Sequence, residues 1–555
     1  MFVMCSSSKT SVNHHFKPVE LTDEQKIDYN HDFIEATKLK LFGNLPEAAS
    51  MLTNCTEVNP YDAAAHYQLA EIYTMADDMK NALRYARLAA KYNPRNEWYQ
   101  IQLANLYVEG KNIDSAIVVY RQIVENQPDN VDLRNNLAIL YLEKNEYRKA
   151  LKELDRIEKT YGFTEDVAIA RYRVYSKKND IKSIETVLKK GIRKYPDDLR
   201  FYGLLAELYS MTGREKEAQE NYTRLLEVDP ENAIGYISMI EFYKDYGNDA
   251  KAMEEMQRMY DLKTIDPDLK VELYLFLSSD SMFFKNNYKQ MDVLIKQLYE
   301  RYPDNFRVRL VNADRNLREK KFEGAKDDLL FLTSRVQTNY FLWEQLFYLL
   351  NLLQDNETLY ESTAKALQYF DDRYLFHFFH GLAASMLRKH DEAIPAYLRT
   401  IECMKKEKEP DRDMELQTYV FLGEACNDQK LYRESDDAFG KALAIAPNNP
   451  LILNNYSYYL SLREEKLDLA EKYIKRCIDM EPNNSTYLDT YGWVLYKSGR
   501  VDEAIIMIEK AMRSGGNNNH EIVGHMCELL TVAGRTDEAY HICEYAIELN
   551  KPKKE

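Results

Sequence analysis

Residues 94–128, PRNEWYQIQLANLYVEGKNIDSAIVVYRQIVENQP, set the ruler for the whole chain. The two bounding prolines lie 34 positions apart, Pro60 lies 34 before the first, and Pro196 to Pro230 repeats the step, with Gly162 in the place between Pro128 and Pro196. A step of this size is the length of one helix–turn–helix unit. When each proline is counted as position 32, alanines align at position 20: Ala48, Ala82, Ala116, Ala150, Ala218, Ala252, Ala325, Ala393, Ala470, Ala504 and Ala539, with Ile184, Met291 and Ser435 as substitutes. Position 11 is tyrosine in six successive units, Tyr73, Tyr107, Tyr141, Tyr175, Tyr209 and Tyr243. Position 8 is small, as in Ala70, Ala104, Ala138, Ala206, Gly423 and Gly492. Small side chains let two helices approach, and the ring one turn away fills the neighbouring hole.

This pattern resembles the tetratricopeptide repeat, whose signature is small residues at 8 and 20, aromatics near 11 and 24, and a closing proline. The resemblance runs from about residue 29 to 552 and implies an all-α, right-handed superhelical solenoid of about fifteen helix–turn–helix repeats. Two departures from the period mark candidate boundaries. Pro230 to Pro303 is 73 residues, two repeats plus five, across DLKTIDPDLK; Gly381 to Gly423 is 42, eight over, across the charged KKEKEPDRD at 405–413. Between them, residues 338–370 keep the pattern of a helix pair without its small residues. The sequence is therefore divided into a flexible N-terminal tail, 1–28, and three blocks, 29–232, 233–415 (divergent) and 416–552.

Composition narrows the function. Glycine is scarce, 18 residues in 555, far below the usual ~7% and too little punctuation for many short strands. With 90 acidic against 74 basic residues the net charge is -16, so no general positive field exists to hold a phosphate backbone, and nucleic acid is not an expected partner. No apolar run reaches the ~20 residues of a membrane span. Seven scattered cysteines without a CxxC pair indicate neither a disulfide framework nor a zinc cluster, and most are expected as small core residues. The sequence holds no phosphate-binding loop, nucleophile elbow, zincin or dinucleotide motif. His377, His380 and His390 fit packing and turn positions better than a metal site, His14 and His15 lie in a polar stretch, and the pairs Asp436/Asp437 and Glu464/Glu465 are ordinary for an acidic helical surface. No cofactor and no catalysis are expected.

A stretch near the end, LDTYGWVLYKSGRVDEA at 488–504, carries the candidate site. Leu488, Tyr491, Gly492 and Leu495 share one helical face, and Trp493 falls on the opposite one. In the family named above, the first helix packs through positions 4, 7, 8 and 11, so positions 2, 5, 9 and 12 point to the concave groove. Trp493 is position 9, with Asp489 at 5 and Tyr496 at 12; one repeat earlier stand Asn454 at 5 and Tyr458 at 9. Together they read as an aromatic floor with two short polar groups, the composition of a binding hot spot. The expectation is that removing Trp493 and Tyr458 costs about 2 kcal/mol of partner affinity and leaves melting unchanged. The matching residues of the first block, Tyr67, Glu71, Asn105, Asn135 and Arg173, form a more polar groove. The family's chaperone-clamp subtype is not indicated, because position 5 reads Tyr67, Ile101, Asn135, Ile169, Gly203 and Ile237, with no lysine.

At the other end, MFVMCSSSK resembles the acceptor region of a bacterial lipoprotein: apolar residues, then Cys5, then a serine tether. Met4 stands where a small residue is preferred, and the basic and most of the apolar part of a leader are missing. The reading taken from this is lipidation at Cys5 and a periplasm-facing envelope location, against a cytoplasmic alternative favoured by the unpaired cysteines. The function expected is a non-catalytic scaffold holding a protein or peptide partner in the repeat groove, in an envelope or secretion assembly; the alternative is a regulatory subunit of an enzyme complex.

Overall fold

The computed structural model describes residues 19–549. They form thirty α-helices and one short 3-10 turn, and no strand occurs among the described residues. The chain divides at Ile265/Asp266 into two compact units. The first holds seven helix pairs and the second eight, which matches the expected all-α array of about fifteen repeats. Cys5, His14 and His15 lie outside the described residues.

The register read from the prolines is the register of the helices. Ala63, Glu97, Val131, Glu165, Leu199, Ala233, Phe306, Tyr340, Tyr374, Ser485 and His520 are all position 1 of a repeat and all the first residue of a helix. Local chemistry explains the agreement. Asn96 accepts from the Trp98 amide to open helix Glu97–Glu109, and Asn112 accepts from Ser115 to open helix Ile113–Asn126, each satisfying an amide that has no partner inside the helix. Between them the amide of Asn112 reaches back 2.7 Å to the carbonyl of Tyr107, the six-to-one closure of a Schellman turn. The same bond, 2.7–2.9 Å long, ends on each of the six position-11 tyrosines. The closure needs one left-handed residue at position 15, and in a glycine-poor chain charged or amide side chains fill it: Asp77, Lys111, Asn145, Asn179, Lys320, Gln354, Arg388, Lys430 and Glu464 all have φ between 55° and 62°.

Packing inside each pair rests on positions 8, 20 and 24. The position-20 alanines from Ala48 to Ala504 are 0% exposed. A methyl group added at Gly381, Gly423 or Gly492 would sit 2.8 Å from Tyr397, 2.9 Å from Phe439 or 2.6 Å from Ile508. Position 8 therefore lies against position 24 of its own repeat. In the last repeat these two positions are Cys527 and Cys543, and they form a disulfide, with Cα atoms 5.0 Å apart. The sequence indicated no disulfide framework, and this one pair departs from that reading. The four other described cysteines, Cys55, Cys403, Cys426 and Cys477, are free and buried as expected.

The disulfide clips a helix with little burial of its own, since Ala539 is the one buried residue of Thr536–Leu549. Closing a loop of this length stabilises by about 3 kcal/mol. Cys527→Ser, or reduction of the parent, should accelerate amide exchange across residues 520–549 and leave Ser485–Arg513 unchanged. Equal protection of 520–549 with and without the bond would show that packing alone holds the terminal pair.

The irregular places resolve as follows. The first helix begins at Asp23, inside the stretch expected as tail, behind a capping box of Thr22 and Gln25. The five extra residues before Pro303 lengthen the second helix of that repeat, Ser281–Arg301, to 21 residues. The next repeat carries charge in its interior. Asp328 is 0% exposed and receives Asn312 at 2.7 Å, Arg309 at 3.0 Å and Asn316 at 3.3 Å. Arg315, also buried, donates to Asn312 and Asn316 at 3.1 Å each. The sequence reading passed over this network, whose signal is asparagine at positions 7 and 11.

Candidate functional site: the first-helix face

The residues picked from sequence fall into three places. In the second unit, Trp493 is 6% exposed: it does not form an open floor. Its ring is stacked on His525, with centroids 4.0 Å apart and planes 24° apart. His525 belongs to helix His520–Val532 and is itself fixed by Asp489, whose two carboxylate oxygens lie 2.9 and 3.0 Å from its Nδ1. Asp489 and Asn454 are buried as well. Tyr458 and Tyr496 remain half-buried beside them, and the Tyr496 hydroxyl donates to Glu528 at 3.1 Å. Trp493, Tyr496, Tyr458 and Asp489 are thus brought together around His525, the member that sequence reasoning missed, whereas Asn454 is buried and donates to Asn455.

In the first unit, three successive first helices line a recess of about 430 Å³ that includes Tyr67, Glu71, Asn105, Met75 and Trp98. Lys40 closes one end by an ion pair to Glu71 at 2.6 Å. Tyr67 packs on Tyr99, centroids 5.0 Å apart, and Asn105 is turned towards the second helix by accepting the Tyr120 hydroxyl at 2.7 Å. The exposed tryptophan of this chain is Trp98, 64% exposed. It stands at position 2, one of the four groove positions, so the rule that selected Trp493 also contained it.

Asn135 and Arg173 line the next recess, about 400 Å³, whose walls are Ala138, Ile139, Leu142, Leu154, Ile157 and Ala170. Arg173 also lines the third, about 830 Å³, with Gly203, Leu204, Glu207, Met211, Ile234 and Glu241 among its walls. Gly203 and Gly235 both line the third. At Gly235 a methyl group would lie 2.4 Å from Leu225, whereas at Gly203 it would make ordinary contact at 3.6 Å. Met211 is 80% and Ile234 75% exposed.

The histidines read as packing residues are engaged in packing. His377 Nε2 lies 2.9 Å from the Asp371 carbonyl, and His380 stacks on Tyr360 and lies 2.9 Å from the Thr363 hydroxyl. Burial holds the His380 imidazole below its ordinary pKa. Asp436 pairs with Arg463 at 2.8 Å and with Lys466. Among the described residues no cluster of three metal-ligating side chains is present, and no helix is long and apolar enough to cross a membrane.

Comparison with known proteins agrees with the repeat geometry. Family models of the tetratricopeptide repeat match residues 110–171, 199–232 and 416–449. A TPR repeat-containing protein of Pseudomonas aeruginosa is 27% identical over 147 residues, 26% of this chain and 24% of the relative; the match spans about a quarter of that protein's length. Among solved structures, a tetratricopeptide repeat protein from Parabacteroides merdae is 18% identical over 44% of this chain and 97% of its own, with a TM-score of 0.31. Naa15/Naa10 bound to HypK-THB is 14% identical over 95% and 96%, TM-score 0.35, and the APC/C hetero-tetramer Cut9-Hcn1 is 13% identical over 84% and 96%, TM-score 0.29. The chain carries tetratricopeptide repeats. A stack of such repeats is, in general, a scaffold for protein–protein interaction.

Proposed function

We propose that this protein is a non-catalytic scaffold that holds a protein partner along the first-helix face of residues 19–265, in a bacterial envelope assembly to which it is tethered through Cys5. The observation that carries the reading is the row of exposed apolar side chains on that face, Met75, Trp98, Ile139, Met211 and Ile234, beside three recesses. Large apolar groups beside concave recesses are the composition of binding anchors. The disulfide between Cys527 and Cys543 supports an oxidising compartment. The four free thiols no longer oppose it: all are buried, and burial pushes Cys55, Cys426 and Cys477 up to about 11, so the reactive thiolate is suppressed.

The test is affinity purification of the full chain from its host beside a Trp98→Ala, Met211→Asp variant. Partners recovered by the parent should be lost by the variant, and their recovery by both would sink the reading. An enzyme recovered in fixed ratio would instead make this chain a regulatory subunit. Metabolic labelling with a lipid probe should mark the parent and spare Cys5→Ala.

A further inference from the structure

Within the proposed docking face, the third recess carries a charge pattern that specifies its occupant. Arg173, at the divide between the second and third recesses, is exposed and has no carboxylate at ion-pair distance among the described residues. Its neighbours differ. Arg171 is paired with Asp155 and Glu158 at 2.6 and 2.8 Å, and Arg200, which shares both recesses, is held by Asp198 at 2.6 Å. Three acids also line the third recess, Glu207 on the next first helix, Leu199–Met211, and Glu241 and Asp245 on the one after, Ala233–Asp245. Glu241 is half-buried, and burial with the nearby Asp245 charge holds its carboxyl above the ordinary range. A cation placed there would relieve that cost. The same recess is lined by Leu204, Tyr222 and Phe242 and by the bare backbone of Gly203.

We infer that this groove takes an extended segment of a partner protein in which a large apolar residue stands between an acidic and a basic one, the acidic side chain on Arg173, the apolar one over Gly203, and the basic one against Glu207 and Glu241. The inference rests on the docking face proposed above and names the partner's chemistry. Charge complementarity argues for this occupant over others. Asp132, Asp166, Glu207, Glu241 and Asp245 outnumber Arg173 and Arg200 along the two recesses, which repels a phosphate backbone. A wholly apolar segment would leave both ends unpaired. Beyond Arg173, the second recess offers a place for a further apolar residue because position 6 is Ala170 there, where Gln68 and Gln102 stand in earlier repeats.

The experiment is selection of phage-displayed random dodecapeptides on the immobilised full-length protein, followed by binding of the synthesised winners to variants. Winners should share an acid–apolar–base order and lose at least tenfold in affinity for Arg173→Glu and for Glu241→Lys. The double variant Arg173→Glu, Glu241→Lys should prefer the peptide with its two charges exchanged. Winners indifferent to both single variants overturn the inference; if they still lose affinity to Trp98→Ala, the docking face stands without it. Winners indifferent to all three, or a selection that enriches nothing, overturn both. Unchanged circular-dichroism melting of Arg173→Glu, expected for an exposed residue, keeps folding out of the readout.

Discussion

Asp328→Ala should destabilise the second unit by about 3–5 kcal/mol, although it removes three atoms from a helix that favours alanine. The carboxylate is fully enclosed and answers three donors, from Arg309, Asn312 and Asn316. Deleting it leaves a guanidinium and two amides facing a hole that water does not reach, and breaking a buried pair from one side carries a cost of this size. The sign reverses when the whole set is replaced. Leucine at positions 312 and 328, tyrosine at 316 and apolar residues of similar volume at 309 and 315 should give a protein as stable as the parent or more so, because no charge then has to be desolvated. Urea unfolding followed by Trp343 fluorescence separates the outcomes. A parent-like midpoint for Asp328→Ala would mean that the network relaxes to solvent, and a multiple variant as weak as the single one would mean that apolar side chains cannot fill the space.

Trp493→Ala should also cost about 3–5 kcal/mol, the price of emptying a buried tryptophan site. The sequence reading anticipated the reverse, lost affinity with unchanged melting. The structure changes the expectation because the ring is buried and stacked on His525, and His525 is held by Asp489. Trp493→Phe should be mild, since the indole N–H has no acceptor among the described residues and phenylalanine keeps much of the stack. Thermal melting of the two variants checks the pair. A parent-like melting temperature for Trp493→Ala would return the residue to the list of surface anchors.

Trp493 shows where reading by position reaches its limit. A helical wheel tells which face a side chain takes, and Trp493 does lie off the face of Leu488 and Leu495. It does not tell what the next repeat places over that face. His525 is at position 6 of the following repeat, a position that the family signature leaves unconstrained. In the first unit the same rule points at recesses that stay open, because Trp98 at position 2 has no comparable cover. The repeat itself was legible for a different reason. Positions 8, 11 and 20 each answer a steric demand met again every 34 residues, so weak preferences accumulate into an unambiguous period. Asp328 and the Cys527–Cys543 pair break the pattern once each. A single exception carries no periodic signal, and only the knowledge that 8 touches 24 would have joined two cysteines 16 residues apart.

That contact turns the chain into a calibrated ruler. Gly381 with Tyr397, Gly423 with Phe439 and Gly492 with Ile508 are spaced, like the natural cystine, by 16 residues and oppose one another across the same helix pair. A cystine moved from the last repeat to any of them would close a loop of unchanged length, so its effect on the unfolded chain would be constant at about 3 kcal/mol. Whatever differs between sites in the measured stabilisation is then a property of the folded neighbourhood alone. The cystine sits in a repeat whose second helix buries a single residue, and the glycine rungs let the opening of other repeats be weighed against it.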